Sequence, residues 1–531
     1  MAGQIARIWL VVALAGCLLS LWGHMQIGLN NDHLVLMDQA NKIMSGAIPY
    51  VDFTDVSPPL IHIIYMAPVM LSKLLGFKLA DSLNLFTLAL TGISLYLCDY
   101  ILKKSRVSVL IRQLAASAVA LALLGASFIH QVFADRDHLL MVLAAPWFVL
   151  YSPLANRDAV SLRVRIIVAI LAAIGFAIKP YSYVFYAATL VFEHRQGKSW
   201  RAIIKEPEHW IVVGFAAAYV AMVFAFFPQY PLTMLPLGWK TYGVLSWDMH
   251  SKLNIVFYDL ILKYAVVGGL ATIALWVAKP EYCGRLFSYM YFLLAAAAVS
   301  YLFNGGWYYT QYPFIALALV LAVLAGAKLI EIYGHRPQMA LVLAIGLWQF
   351  FVDPAQYRAG WDINLTRDRG HTLSTFEVVE KAQAVIDKEL ENHPRFMFLG
   401  TNIWATNFLK EDSPRQEVGR FYYLWPLPGI LDLQDKPARQ EDYRKLSAYL
   451  SGSITDDLKR HAPDLVINDV SVSQRGLPNS YNVLSFLMKD PEFSEAWKGY
   501  ALAKKINFCT PQEQGNCAYE IYVKAVTNNS H

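Results

Sequence analysis

Charge is scarce in this chain of 531 residues: Asp, Glu, Lys and Arg together make up only 16% of it, against roughly a quarter in soluble domains. That shortage excludes an ordinary water-soluble globular protein. Metal-binding runs of His or Cys, a phosphate-cradling P-loop, a nucleophile elbow and a dinucleotide fingerprint are all missing, which leaves no basis for a soluble nucleotide-sugar site. There is no basic stripe interleaved with aromatics, so nucleic acid is excluded as a partner. Neither an internal repeat nor an inverted duplication of apolar segments is visible, which weighs against a secondary transporter.

What is abundant is apolar sequence, at 56%. Runs near 5–25, 58–77, 82–102, 107–126, 138–154, 162–179, 181–194, 209–227, 253–278, 286–304, 312–330 and 337–353 are long enough, or nearly so, to cross about 30 Å of hydrocarbon. Up to residue 353 charges sit in short clusters between these runs; from 354 they spread as in a globular domain. The expected fold is therefore a polytopic α-helical membrane protein with a C-terminal α/β domain, 1–353 in the membrane and 354–531 outside it. The net charge of +5 reflects basic loops, which set orientation rather than recruit partners.

Arg157, Arg163 and Arg165 mark one cytosolic loop; His194, Arg195, Lys198, Arg201 and Lys205 mark the next; Lys279 with Arg285, and His335 with Arg336, mark two more. Regions 127–137, 228–252, 304–311, the Lys179-Pro180 turn and the C-terminal domain then face outward. With Arg7 inside, loop 26–57 is also outside, yet Lys103, Lys104, Arg106 and Arg112 read as cytosolic. Two full spans between them conflict with that: either the basic cluster is an exception or, as is expected here, 58–77, interrupted by Pro68, does not cross fully. The total is then odd, 11 or 13 by these segments.

Of the five cysteines, Cys17, Cys98 and Cys283 read as small apolar packing residues. Leu14-Ala15-Gly16-Cys17 has the look of a lipoprotein cleavage site, but the apolar run continues beyond it, as in a retained anchor. Cys509 and Cys517 flank the turn-rich TPQEQGN and read as a disulfide clipping a hairpin, which needs an oxidising compartment.

Four places concentrate groups able to do chemistry. In loop 26–57, apolar residues at helical spacing from Leu34 to Met44 read as an interfacial helix, with Asp32 at the expected N-cap. Asp135, Arg136, Asp137 and His138 stand at the mouth of a span, where ionisable groups usually face a cavity or a partner. Lys179 ends an apolar run before Pro180, either snorkelling or holding a phosphate. NGGWYYTQYP at 304–313 reads by default as an interfacial aromatic belt.

The order of these features resembles the GT-C superfamily of polyprenyl-phosphate-sugar-dependent glycosyltransferases, which includes aminoarabinose transferases and protein O-mannosyltransferases. The resemblance rests on Asp32, then Gly46-Ala47-Ile48-Pro49-Tyr50-Val51-Asp52-Phe53, then Pro58-Pro59-Leu60, a second acidic loop about a hundred residues on, and a helix-ending lysine. It implies an inverting transfer of sugar from a polyprenyl-phosphate donor to a hydroxyl on a glycan, lipid or protein, at the periplasmic face of a bacterial inner membrane. By that resemblance Asp32 is the general base, and Asp137 or Asp135 orients the acceptor. Arg136 and Lys179 neutralise the leaving phosphate, while His138, Tyr50, Asp55 and Ser57 lie with the substrate. It leaves room for a divalent cation, magnesium or manganese, shared by Asp32 and Asp137, without requiring one. One departure matters: in aminoarabinose transferases a lysine precedes the Pro-Pro and meets the phosphate, and here that position is Ser57. The competing readings are a transporter or flippase and a non-catalytic envelope-assembly scaffold.

The outer domain is expected to hold an amphipathic helix over Thr372–Leu390, buried strands at 395–400 and 464–469, and late strands at 496–506 and 517–525 in an α/β sandwich. FYYLWPLPG at 421–429 reads as core, as a sugar platform or as a membrane-facing patch.

Overall fold

A computed structural model describes residues 29–105, 107–128, 132–278, 280–333, 386–403, 415–472, 474–507 and 518–525, with residue 409 and isolated positions between 11 and 22. The larger helices are α1 (Asn31–Met44), α2 (Pro59–Leu75), α3 (Leu79–Lys103), α4 (Val109–Leu124), α5 (Arg136–Tyr151), α6 (Leu162–Ile178), α7 (Tyr183–Arg195) and α8 (Pro207–Phe226). They continue with α9 (Val266–Ala278), α10 (Pro280–Phe303), α11 (Tyr312–Tyr333), α12 (Leu427–Gln434) and α13 (Gln440–His461). The strands are β1 (Arg395–Leu399), β2 (Gln416–Glu417), β3 (Leu465–Asp469), β4 (Tyr500–Asn507) and β5 (Ala518–Lys524).

The chain divides into two compact units. The first holds Met1–Gly28, Asp81–Met222 and Trp247–Arg367; the second holds Leu29–Ala80, Val223–Ser246 and Asp368–His531. The C-terminal segment thus shares its unit with the 29–80 stretch.

Among the described residues, Leu79–Lys103, Pro207–Phe226, Gly284–Phe303 and Tyr308–Leu329 are long and apolar enough to cross a membrane. The helices differ in what covers them. Every residue of α5 from Asp137 to Tyr151 is buried, as befits a helix apolar all round. α8 instead exposes Trp210, Val213, Val220 and Phe224, an apolar surface that lipid tolerates and water does not.

In the second unit, α2 starts where Pro58 is extended and Pro59 takes the first helical position, whose N–H needs no partner. It runs through Pro68 and ends at Gly76, which has a φ of 69°. The expected interruption at Pro68 is therefore corrected: the helix continues past it. Its 17 residues reach only about 25 Å, short of the hydrocarbon thickness.

The sheet of this unit has the order β2-β1-β3-β5-β4. β1 is parallel to β2 and β3, and β5 is antiparallel to β3 and β4. Alternation along β1 sends Met397 and Leu399 to one face, against Ile430 of α12 and Leu450 and Ile454 of α13. Phe396 and Phe398 go to the other, with Phe53, Ile386 and Leu390. In FYYLWPLPG the side chains of Phe421, Tyr422, Leu424 and Trp425 are buried, the core-packing alternative.

One expectation is adjusted. The strand placed at 496–506 begins only at Tyr500, because Ala496 and Trp497 complete a helix that Asp490 caps and Pro491 starts. α13 lay unread, although its acidic first turn and basic last turn suit the helix dipole. Of the expected Thr372–Leu390 helix, residues 372–385 lie outside the described residues, as does the Cys509–Cys517 pair.

Asp469, at the end of β3, is 1% exposed. Burial raises its carboxyl to about 6 although Ser471 hydrogen-bonds to it. An acid held protonated by the fold stabilises below the ordinary Asp range, and that contribution is lost as pH climbs through about 6. Asp469→Asn keeps the Oδ1 acceptor for the Ser471 amide (3.0 Å). It is expected to raise stability at pH 8 by on the order of 3 kcal/mol and to change little at pH 4. Thermal unfolding of the full chain in detergent at both pH values measures this; an equal effect at both contradicts it.

Candidate functional site

Asp32 belongs to the second unit. The helix cap is Asn30, whose Oδ1 accepts from the His33 amide at 2.8 Å. The expectation that Asp32 caps the helix is therefore corrected. It lies in the first turn of α1, where a carboxylate suits the helix dipole without being needed to close the helix end.

The segment after α1 is tied to itself. Gly46 turns the chain with a φ of 96°, and Tyr50 also holds a positive φ, 65°, a strained value for an aromatic residue. The Tyr50 hydroxyl donates to the Ser57 carbonyl at 2.7 Å, and the Ser57 amide donates to Asp55 Oδ1 at 2.8 Å. Asp52 accepts from the Ile48 amide at 2.8 Å and pairs with Arg460 at 3.1 Å. Tyr50, Asp55 and Ser57 thus form one braced loop running into the Pro58-Pro59 start of α2.

The C-terminal segment docks on the same helix and loop. Tyr422 donates to Asp38 at 2.6 Å, Lys42 donates to Tyr422 at 3.1 Å and to the Glu417 carbonyl at 3.0 Å, and Thr54 N donates to the Arg420 carbonyl at 2.7 Å. Burial lifts the Tyr423 phenol well above its ordinary value; Tyr242, Asp32 and Asp55 add to the rise and Arg475 opposes it. Asp32 and Asp55 therefore share surroundings with Tyr423 and Arg475. Neither of those two was singled out from the sequence, which carries no signal that residues so far along the chain return to this loop.

In the first unit, Asp135 caps α5, accepting from the Asp137 amide at 3.4 Å. The turn before it is strained, with Ala134 at a φ of 66°. It is held by His138, whose Nδ1 accepts from the Ala134 amide at 3.1 Å. That fixes the proton on Nε2, which donates to the Leu123 carbonyl at 2.8 Å. With both ring nitrogens engaged by backbone, His138 braces the turn and has no nitrogen left over for substrate. Arg136 lies 3.6 Å from Asp135 Oδ1.

Lys179, the last residue of the α6 run, crosses to this turn. Its Nζ meets Asp137 Oδ2 at 2.5 Å, with Asp137 1% and Lys179 6% exposed. Lys179 also reaches Asn304 Oδ1 at 3.4 Å, which accepts from the Tyr181 hydroxyl at 2.5 Å. Asn304 is missed because 304–313 reads as an aromatic belt, and Tyr181 because an aromatic residue opening an apolar run carries no signal of its own. The available signal was an Asn-Gly-Gly turn directly after an apolar helix.

A second polar cluster in this unit has ligand atoms of Glu193, Glu206 and His209 all within 4.8 Å of one another. Arg157 pairs with both glutamates, at 2.8 and 2.9 Å, and Lys198 contacts both as well. Two cations pair with the two carboxylates, so the cluster ties the end of α7 to the start of α8.

No protein family matches the sequence. No curated protein matches it either. Among solved structures the chain is similar to the crystal structure of ArnT from Cupriavidus metallidurans bound to undecaprenyl phosphate, at 12% identity and a TM-score of 0.46, covering 98% of this chain and 99% of that one. It is also similar to the apo state of the same protein, at 15% identity and a TM-score of 0.41, over 77% of this chain and 75% of that one.

The capping geometry separates two neighbouring residues experimentally. Asn30→Ala is expected to destabilise the protein by about 1 kcal/mol through loss of the cap. Asp32→Ala should cost less than Asn30→Ala, as loss of a first-turn charge does. Unfolding midpoints of the two variants in detergent check this; a larger loss from Asp32→Ala would return the capping role to Asp32.

Proposed function

We propose that the protein is a membrane glycosyltransferase that moves a sugar from a polyprenyl-phosphate donor to a hydroxyl acceptor in the cell envelope, at the periplasmic face, with inversion at the anomeric carbon. The observation that carries this reading is the buried Lys179–Asp137 pair at the adjoining ends of α6 and α5. A lysine at a helix end in an apolar unit is a compact point charge suited to a lipid-linked phosphate. Asp137 holds it in place before any substrate arrives.

In the proposed step the acceptor oxygen attacks the anomeric carbon as the bond from that carbon to the phosphate oxygen breaks. The electron pair leaves with the phosphate, and Lys179 stabilises that charge. The acceptor proton passes to the carboxylate of Asp32. Tyr50, Asp55 and Ser57 keep the loop after Asp32 in shape. Arg136 is a second basic group for the phosphate, and Asp135 serves by shaping the turn that carries Asp137. The proposed step is written without a metal, the Asp137 Oδ2 being engaged by an ammonium at 2.5 Å.

The test is to supply purified protein in nanodiscs with a panel of polyprenyl-phospho-sugars and hydroxyl acceptors, and to follow release of polyprenyl phosphate. Release should survive a chelator. Asp32→Asn is expected to lower it roughly 10²-fold or more with the unfolding midpoint little changed. Full activity in Asp32→Asn sinks the catalytic assignment, and transport of intact donor without sugar release sinks the enzyme reading.

A further inference from the structure

Asn304 follows the last residue of α10, in a turn that leaves it little freedom. Gly306 has a φ of 86°, and a Cβ there would meet the Trp247 side chain at 2.8 Å, so glycine is required. The Trp247 amide donates to the Gly305 carbonyl at 3.0 Å. Lys252, 8% exposed, donates to the Leu302 carbonyl at 3.4 Å and to the Asn304 carbonyl. The backbone is held from two sides.

The side chain is oriented as firmly. Its Oδ1 faces the Lys179 ammonium and the Tyr181 hydroxyl. An ammonium has three donors and no acceptor, so the amide cannot be turned over without setting donor against donor. Nδ2 must therefore point away from both groups. That nitrogen is buried and meets no acceptor among the described residues. A buried amide donor kept without a partner calls for an explanation, and an unbound ligand is one.

We propose that Asn304 Nδ2 donates to a phosphate oxygen of the lipid donor, making Asn304 and Lys179 one anion cradle with Tyr181 fixing the amide. This deepens the glycosyltransferase reading and rests on it. The chemistry favours phosphate over a sugar hydroxyl at this nitrogen. With Oδ1 occupied, Asn304 offers donors only, as does Lys179, and a phosphate oxygen is a pure acceptor beside a positive charge. Asp137 Oδ1, which has no hydrogen-bond partner among the described residues, is the acceptor left for a hydroxyl.

The experiment compares binding of a polyprenyl monophosphate with that of the uncharged polyprenol of equal length, to the full chain in nanodiscs. Asn304→Asp keeps the acceptor for Lys179 and Tyr181 but replaces the donor with a second acceptor. It should weaken phosphate-lipid binding roughly 10- to 100-fold and leave polyprenol binding unchanged. Asn304→Ser, which shortens the group out of reach, should do the same and decides the matter if the aspartate variant does not fold. Wild-type preference for the phosphate lipid retained in the folded variant overturns the cradle while leaving the enzyme reading intact. Equal wild-type affinity for the two lipids overturns the reading beneath it.

Discussion

A buried ion pair in an apolar helical unit constrains everything near it. Stripping an ammonium and a carboxylate of water costs several kcal/mol each, and only close pairing with further hydrogen bonds offsets that. Lys179 and Asp137 meet at 2.5 Å, and the surroundings of the pair follow from the need to sustain it. α6 has to end at Lys179 so that the side chain can cross to α5. The turn before α5 has to accept a positive φ at Ala134 so that Asp135 can cap the helix and Asp137 can sit in its first turn. His138 spends both ring nitrogens holding that turn. Four consecutive polar residues, 135 to 138, thus divide into one that meets the lysine, two that shape the turn and one basic neighbour.

The second unit solves a different problem. A loop between two helices has many backbone groups to satisfy and little secondary structure to do it with. Here Tyr50, Asp52 and Asp55 supply the missing partners over a few residues. The C-terminal segment then grips α1 and the same loop through Lys42, Tyr422 and Arg420. The surroundings of Asp32 and Asp55 include groups contributed from the far end of the chain, Tyr423 and Arg475, so the C-terminal segment is part of the candidate site's environment as well as a folded appendage.

Much of this was legible in the sequence. Strands β1 and β3 are legible as short apolar runs, buried on both faces or nearly so, and β5 as a run rich in aromatic and β-branched residues. The acidic mouth at 135–138 and Lys179 stood out because charge is rare in the apolar runs around them. Three things were not legible. Asp32 looked like a cap because aspartate caps well, but Asn30 does too, and local pattern cannot rank two competent caps two residues apart. Asn304 hid in an aromatic context whose ordinary explanation is a membrane interface. Tyr423 and Arg475 could not be connected to Asp32 at all, since their proximity is a product of tertiary packing between residues some four hundred positions apart.

The same comparison shows why the division of labour among the acids is physically reasonable. A carboxylate that must take a proton during a reaction cannot also be indispensable to the fold in its ionised form, because protonation would then cost stability at each turnover. Asp135 is committed to a cap and Asp137 to a lysine. Asp32 has been relieved of the capping role by Asn30. Asp32 then stands in the first turn of α1 beside a cap that another residue supplies, and in the proposed transfer this division of labour assigns the proton to Asp32.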